Sequence, residues 1–98
     1  MSNIIHRSLL SAPRLATRAE GVYVYDAQGK AYLDGSSGAA VSNIGYGHPK
    51  VLAAMQEQMS SLAYVHSGFF TTEAAEELAA YLSEQAPGDL DYCYFVSG

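Results

Sequence analysis

Apolar and polar positions change period several times along this chain, and each change marks an element. Between Gly21 and Asp34, two runs of β-forming residues, Val22-Tyr23-Val24-Tyr25 and Ala31-Tyr32-Leu33, flank Asp26-Ala27-Gln28-Gly29. Asp suits the first position of a turn and Gly accepts the positive φ that closes it, so the stretch predicts a β-hairpin. Large side chains on both faces of both strands predict that both faces are covered. A lone hairpin is marginal in water, so this one needs a partner.

From Pro49 onward the period lengthens. Proline suits the first helical position, and Val51, Leu52, Met55, Met59 and Leu62 form one apolar stripe at helical spacing. The methionines read as core. A second helix begins at Thr71 or Thr72, with Glu73, Glu76 and Glu77 at its positive dipole end. Ala75, Leu78, Tyr81 and Leu82 form its apolar face, and Pro87-Gly88 stops it. Between the helices lies Tyr64-Val65-His66-Ser67-Gly68-Phe69-Phe70. Aromatics crowd a connection there, and two readings stay open: they pack on the core, or they line a pocket. His66 reads as a hydrogen-bonded structural residue, with no metal-spaced His or Cys nearby.

The chain closes on Tyr92-Cys93-Tyr94-Phe95-Val96-Ser97-Gly98. Five apolar or aromatic residues in a row predict a strand buried on both faces, with Cys93 a buried thiol. Ligands of open α/β sheets bind beyond the carboxyl ends of strands, so Ser97-Gly98 stands where a site would begin. The expectation is a chain cut at the edge of its own active site. Met1–Ala19, broken by Pro13, predicts an extended arm with a turn of helix at most. Asp34 to Gly47 carries four glycines among small and apolar residues. Its glycines allow unusual backbone angles and close approach by a ligand or another backbone, and its apolar residues argue against a solvated linker. Gly45-x-Gly47 is half a dinucleotide fingerprint, but Lys50 fills the third position and no strong strand precedes it.

Charge and composition narrow the function. Ten acids against five bases give a net charge of −5, which argues against a nucleic-acid partner. One cysteine excludes an internal disulfide framework and a cysteine-based metal site. No run approaches the ~20 apolar residues of a membrane span. The cytoplasm is the expected compartment. An organelle matrix is the alternative, because residues 1–19 hold Arg7, Arg14 and Arg18 and no acid, the composition of a transit peptide.

The order of motifs resembles the N-terminal part of the class III aminotransferases, the pyridoxal-phosphate enzymes that include the ω-amino-acid transaminases. The resemblance runs from about Ala19 to Gly98. It rests on Gly21-Val22-Tyr23-Val24-Tyr25-Asp26 with Gly29, and on Tyr32-Leu33-Asp34-Gly35. It continues through Asn43-Ile44-Gly45-Tyr46-Gly47-His48-Pro49, Phe69-Phe70-Thr71-Thr72 and Tyr94-Phe95-Val96-Ser97-Gly98. The implied fold is α/β. An N-terminal arm and β-hairpin occupy residues 1–46. The first helices and first buried strand of a fold-type-I large domain, incomplete here, occupy residues 47–98.

The resemblance also implies roles. Ser97 and Gly98 would open the turn that holds the phosphate of pyridoxal 5'-phosphate, where backbone N–H groups and a helix dipole favour a dianion. Ala39 and Ala40 would face the substrate, leaving a roomy pocket, with Phe69 and Phe70 as an apolar wall. The implied partners are an amine and a 2-oxo acid, and a second subunit of a homodimer with the active site at the interface. The lysine that carries the cofactor in this family comes much later. Neither Lys30, beside the hairpin turn, nor Lys50, in the first turn of a helix, matches it. No catalytic residue and no metal ligand is therefore assigned in this segment, and the segment alone is expected to be inactive. Two rival readings share the opening: a non-catalytic dimerisation or binding protein, and an aminomutase, racemase or decarboxylase of the same family.

Overall fold

The structure, a computed structural model, describes residues 2–97. They form two compact units, one ending at Glu57 and the other beginning at Gln58.

In the first unit, β1 (Ala16–Glu20), β2 (Tyr23–Asp26) and β3 (Ala31–Leu33) make an antiparallel sheet in the order β1-β2-β3. The hairpin is β2 and β3, with Tyr23 opposite Leu33 and Tyr25 opposite Ala31. Its turn is built on Asp26. Oδ1 accepts from the Gln28 amide at 3.0 Å and the Lys30 amide at 2.9 Å, and Oδ2 accepts from the Tyr32 hydroxyl at 2.9 Å. Gly29 takes the positive φ, +80°. At 6% exposure, Asp26 is the buried residue around which the hairpin closes. Burial alone would raise its pKa. Bonds from the Tyr32 hydroxyl and the Lys30 and Gln28 amides, with the Lys30 charge, outweigh that and hold it below its ordinary value.

The partner the hairpin needs is β1, a strand formed by the last residues of the expected extended arm together with Glu20. Glu20 pairs with Tyr23 and Arg18 with Tyr25, and a bulge falls between Ala16 and Arg18. The extra residue, Thr17, turns its hydroxyl onto the carbonyls of Asp26 (3.2 Å) and Tyr25 (3.4 Å). The Arg18 guanidinium lies 3.4 Å from the centroid of the Tyr25 ring. Of Ala-Thr-Arg-Ala-Glu only Thr17, the bulged residue, favours a strand, so the strand comes mainly from pairing and little from propensity. Upstream, Ile5 and Leu10 stand in solvent, and the arm's side-chain bonds are local, such as the Leu10 amide to Ser8 Oγ.

The two expected helices are present. α2 (Pro49–Ser61) begins as the Leu52 amide reaches the His48 carbonyl, and ends where Gln58 Nε2 donates to the Leu62 carbonyl at 2.9 Å. α3 (Glu73–Gln85) is capped by Thr72, whose hydroxyl accepts from the Ala75 amide at 3.2 Å. It stops at Ala86, which is extended (φ −71°, ψ 146°) because Pro87 disfavours helical backbone in the residue before it.

Two expectations of burial are not met within the chain. The apolar stripes are intact, yet α2 and α3 contain no buried residue, and Met55, Met59, Leu78 and Tyr81 are all exposed. Residues 92–96 form neither strand nor helix, and Tyr92 and Tyr94 are 96% and 91% exposed. Cys93 is exposed as well, correcting the buried thiol. A strand is a property of a ladder, and this segment has no neighbouring strand among the described residues. It is tied to α3 instead. Ser83 Oγ donates to the Asp91 carbonyl at 3.1 Å, and Cys93 Sγ lies 3.7 Å from the Ala79 carbonyl oxygen. The covered faces expected for the hairpin are likewise only partly present, since Leu33 is exposed.

The chain exposes 9046 Å². Surface scaling gives roughly 5,400 Å² for one compact chain of this mass and roughly 6,500 Å² for two separate bodies of these sizes. However the units are arranged, the chain carries apolar surface that its own residues do not cover.

Candidate functional site

The first candidate region is the loop between β3 and α2. Its centre, α1 (Ser37–Ala40), is one turn of left-handed backbone. Ser37, Gly38, Ala39 and Ala40 have φ of 51°, 60°, 61° and 66°. The amide of Ala40 donates to the Ser36 carbonyl, and those of Val41 and Ser42 donate to the Ser37 carbonyl. Left-handed helix costs an L-residue about 1–2 kcal/mol, so three non-glycine residues in that state carry roughly 3–6 kcal/mol of strain. Such strain persists only where the surroundings over-determine it.

Asp34 supplies that determination. It lies one residue past β3, and its amide donates to the Val22 carbonyl at 2.9 Å. Its Oδ1 accepts from Ser36 Oγ at 3.1 Å, and its Oδ2 accepts from Ser42 Oγ at 3.3 Å and, in a short bond, from the Tyr46 hydroxyl. The Tyr46 hydroxyl, joined by the Gly38 amide and the two serines, holds this carboxyl below its ordinary pKa. One carboxylate thus gathers side-chain donors from before and after the turn.

The far end is fixed to the sheet. Gly21 and Tyr46 form a two-bond antiparallel bridge, with N–O distances of 3.0 and 2.7 Å. Gly45 permits it: a Cβ there would stand 2.7 Å from the Gly21 carbonyl oxygen, and its φ is +78°. Ala39 and Ala40, the expected substrate-facing pair, sit side by side on this pinned turn, exposed. Nothing in the residue pattern singles out Asp34 or Tyr46 beyond their motif. A signal was present in the spacing, since Ser42 and Tyr46 follow Asp34 by eight and twelve residues in a glycine-rich stretch.

The second candidate region is the aromatic loop. The amides of Phe69 and Phe70 both donate to the His66 carbonyl, and the His66 ring meets Phe69 edge-on with centroids 5.4 Å apart. Gly68 makes room for that ring, since a Cβ there would lie 3.0 Å from His66 Nε2. Both phenylalanines are exposed. Phe70, with Tyr64, Ala75, Ala79 and Phe95, lines an open groove of about 550 Å³. Phe69 does not line it. Of the two readings of this loop, packing on a core is not realised within the chain. Ala39–Ala40 and Phe69–Phe70 lie in different units.

The residues expected to hold the cofactor phosphate fare differently. Ser97 is exposed at the end of a segment without regular structure, with no helix start after it among the described residues, and Gly98 lies outside them. The described residues by themselves therefore do not form a phosphate cradle. Lys30 is a turn residue with its ammonium 5.2 Å from the Tyr32 ring, and Lys50 lies in the first turn of α2. Among the described residues no cluster of three His, Cys, Asp or Glu is placed to hold a metal, and no helix is long and apolar enough to cross a membrane.

With this geometry in place, comparison decides the family. The sequence pattern of "Aminotransferase class-III" matches residues 4–98. The chain belongs to the class-III aminotransferases. It is 44% identical to an uncharacterized aminotransferase of Bacillus subtilis over 96 residues, covering 98% of this chain and 22% of that protein. Its backbone matches a thermostable (S)-enantioselective ω-transaminase of Thermomicrobium roseum with a TM-score of 0.83 at 38% identity, covering 93% of this chain and 22% of that one. It also matches an ω-transaminase of Pseudomonas jessenii, solved in complex with PMP, with a TM-score of 0.72 at 33% identity over 76% of this chain and 17% of that one. The chain thus spans about a fifth of the length of these class-III relatives. Their backbone agreement extends the α/β, ω-transaminase-type fold to this segment.

Proposed function

We propose that these residues are the opening part of a pyridoxal-phosphate-dependent transaminase that moves an amino group from a primary amine or ω-amino acid to a 2-oxo acid. The observation that carries this reading is the backbone agreement with an (S)-enantioselective ω-transaminase over 93% of the chain. The PMP-bound relative supports the cofactor. The cofactor, held by residues elsewhere in the complete protein together with the turn that Ser97 and Gly98 begin, would supply the electron sink for amino transfer.

The segment's own part is binding and orientation. Ala39 and Ala40, on a turn that cannot drift, would form a substrate wall with little bulk. Phe69 and Phe70 would give an apolar face that excludes water from the amine's substituent. The apolar stripes of α2 and α3 and the unpaired segment 92–96 would be covered by the rest of the large domain and by a second subunit of a homodimer. We place residues 1–46 with the arm and hairpin, residues 47–98 with the large domain, and the enzyme in the cytoplasm.

The test is direct. The full-length protein that carries this segment is purified, its cofactor absorbance recorded, and a primary amine offered with a 2-oxo acid. Stoichiometric exchange of amine for ketone or aldehyde is expected. The 98-residue chain alone, lacking a lysine that matches the family's, is expected to give none. A full-length protein that binds the cofactor but racemises or decarboxylates its substrate would replace this reading with another class-III chemistry.

A further inference from the structure

We propose that Asp34 is the positioning residue of the substrate wall, and that the choice of amine is set through its carboxylate as well as through Ala39 and Ala40. The inference rests on the transaminase reading and adds a residue to it. Ala39 and Ala40 hold a backbone conformation that alanine disfavours. Their own methyl groups do nothing to maintain it. Beyond the turn's own backbone bonds, the side-chain bonds that fix it converge on one residue outside it. Ser36 precedes the turn and Ser42 and Tyr46 follow it, and all three donate to Asp34 through their hydroxyls.

An ionised carboxylate is the side chain that fits, because it accepts at every lone pair and donates nowhere. Asparagine has nearly the same shape but replaces one acceptor oxygen by an N–H₂ group. On the Oδ2 side that group would face two hydroxyls now donating inward, Ser42 and Tyr46. Both would have to give up donating there and present a lone pair instead, or the amide would flip and set its N–H₂ against Ser36; in either pose the charged acceptor of these bonds is lost. The turn would then relax toward negative φ, carrying Ala39 and Ala40 with it. The β-sheet would not follow, since Asp34 is tied to β2 through its backbone amide rather than its side chain.

The experiment uses the full-length protein and the variants Asp34→Asn and Tyr46→Phe. Two readouts separate this claim from the transaminase reading. The first is hydrogen exchange at the amides of Ala40, Val41 and Ser42, which needs no activity. It is expected to accelerate at least tenfold in Asp34→Asn and less in Tyr46→Phe, with β2 and β3 unchanged. The second is the ratio of kcat/KM between a small and a bulky primary amine. It is expected to shift at least fivefold, mainly through KM of the bulky amine and with a smaller change in kcat.

Exchange that stays within twofold of the wild type in both variants overturns the proposal. So does acceleration that spreads across β2 and β3 with kcat/KM falling equally for both amines, because that is a general loss of structure. A wild-type protein that transaminates no amine overturns the transaminase reading alone, and the exchange readout then still decides whether Asp34 holds the turn. Should Asp34→Asn fail to fold, Tyr46→Phe removes one donor only and carries both readouts.

Discussion

The region from Ala16 to Gly47 and the region from Gln58 to Ser97 solve the same problem by different means. The first fixes its backbone with its own polar groups. Asp26 closes the hairpin, Asp34 holds the left-handed turn, and the Gly21–Tyr46 bridge joins loop to sheet. Each of these bonds spans a few to a few dozen residues and needs nothing from outside. The second region has regular elements with correct caps but no burial. Its α3 face and its terminal segment stand in solvent. Local hydrogen bonding can be completed within a short stretch of chain, whereas hydrophobic burial needs a second surface of matching size.

The contrast can be broken most forcefully on α3. Leu78→Asp is expected to leave the isolated chain within about 0.5 kcal/mol, since Leu78 is already 48% exposed there. In the full-length protein the same change is expected to cost about 3–5 kcal/mol, the signature of a charge put into a buried face. Chemical denaturation of both forms checks it, and equal effects would show that the α3 face is never covered.

In the first region the largest effect is expected at Gly45. Gly45→Ala places a Cβ against the Gly21 carbonyl at a positive φ, and a loss of about 2–4 kcal/mol is expected from strain and overlap together. Denaturation measures the loss, and exchange at the Gly21 and Tyr46 amides locates it. The opposite sign is expected at the strained turn. Ala39→Gly relieves a left-handed alanine and is expected to stabilise by up to about 1 kcal/mol, offset in part by the greater freedom of glycine in the unfolded chain. Thr72→Ala in α3 is expected to cost about 1 kcal/mol through its lost cap.

Acid sharpens the comparison. The carboxyls of Asp26 and Asp34 are both held below their ordinary value of 3.8. A depressed carboxylate contributes stability that is complete above its unfolded pKa and is lost as pH falls through its folded pKa. The first region is therefore expected to loosen below about pH 4. Near-ultraviolet circular dichroism of the tyrosines, two of which donate to these carboxylates, follows it. Asp34→Asn is expected to remove the part of the transition that belongs to the turn and leave the part that belongs to the hairpin.

How much of this was legible in the sequence follows from the range of each interaction. The hairpin, the Thr72 cap, the stop before Pro87 and both apolar stripes depend on residues a few positions apart, and composition and period announce them. The family was legible from motif order. β1 was not, because Ala-Thr-Arg-Ala-Glu becomes a strand only when β2 offers its edge. The left-handed turn was hidden for a related reason. Alanine and serine do not prefer positive φ, and a carboxylate must collect donors across twelve residues before they adopt it. Residues 92–96 show the converse. Their apolar run specifies burial on two faces, and a ladder requires neighbouring strands that these residues cannot supply to themselves. Sequence by itself determined the family, the local elements and the apolar faces awaiting cover. Tertiary structure decided that the arm ends in a paired strand and that two alanines stand on a strained turn under one aspartate. The first is a pairing with a neighbouring strand that the composition of Ala-Thr-Arg-Ala-Glu does not announce, and the second rests on bonds that reach eight and twelve residues along the chain.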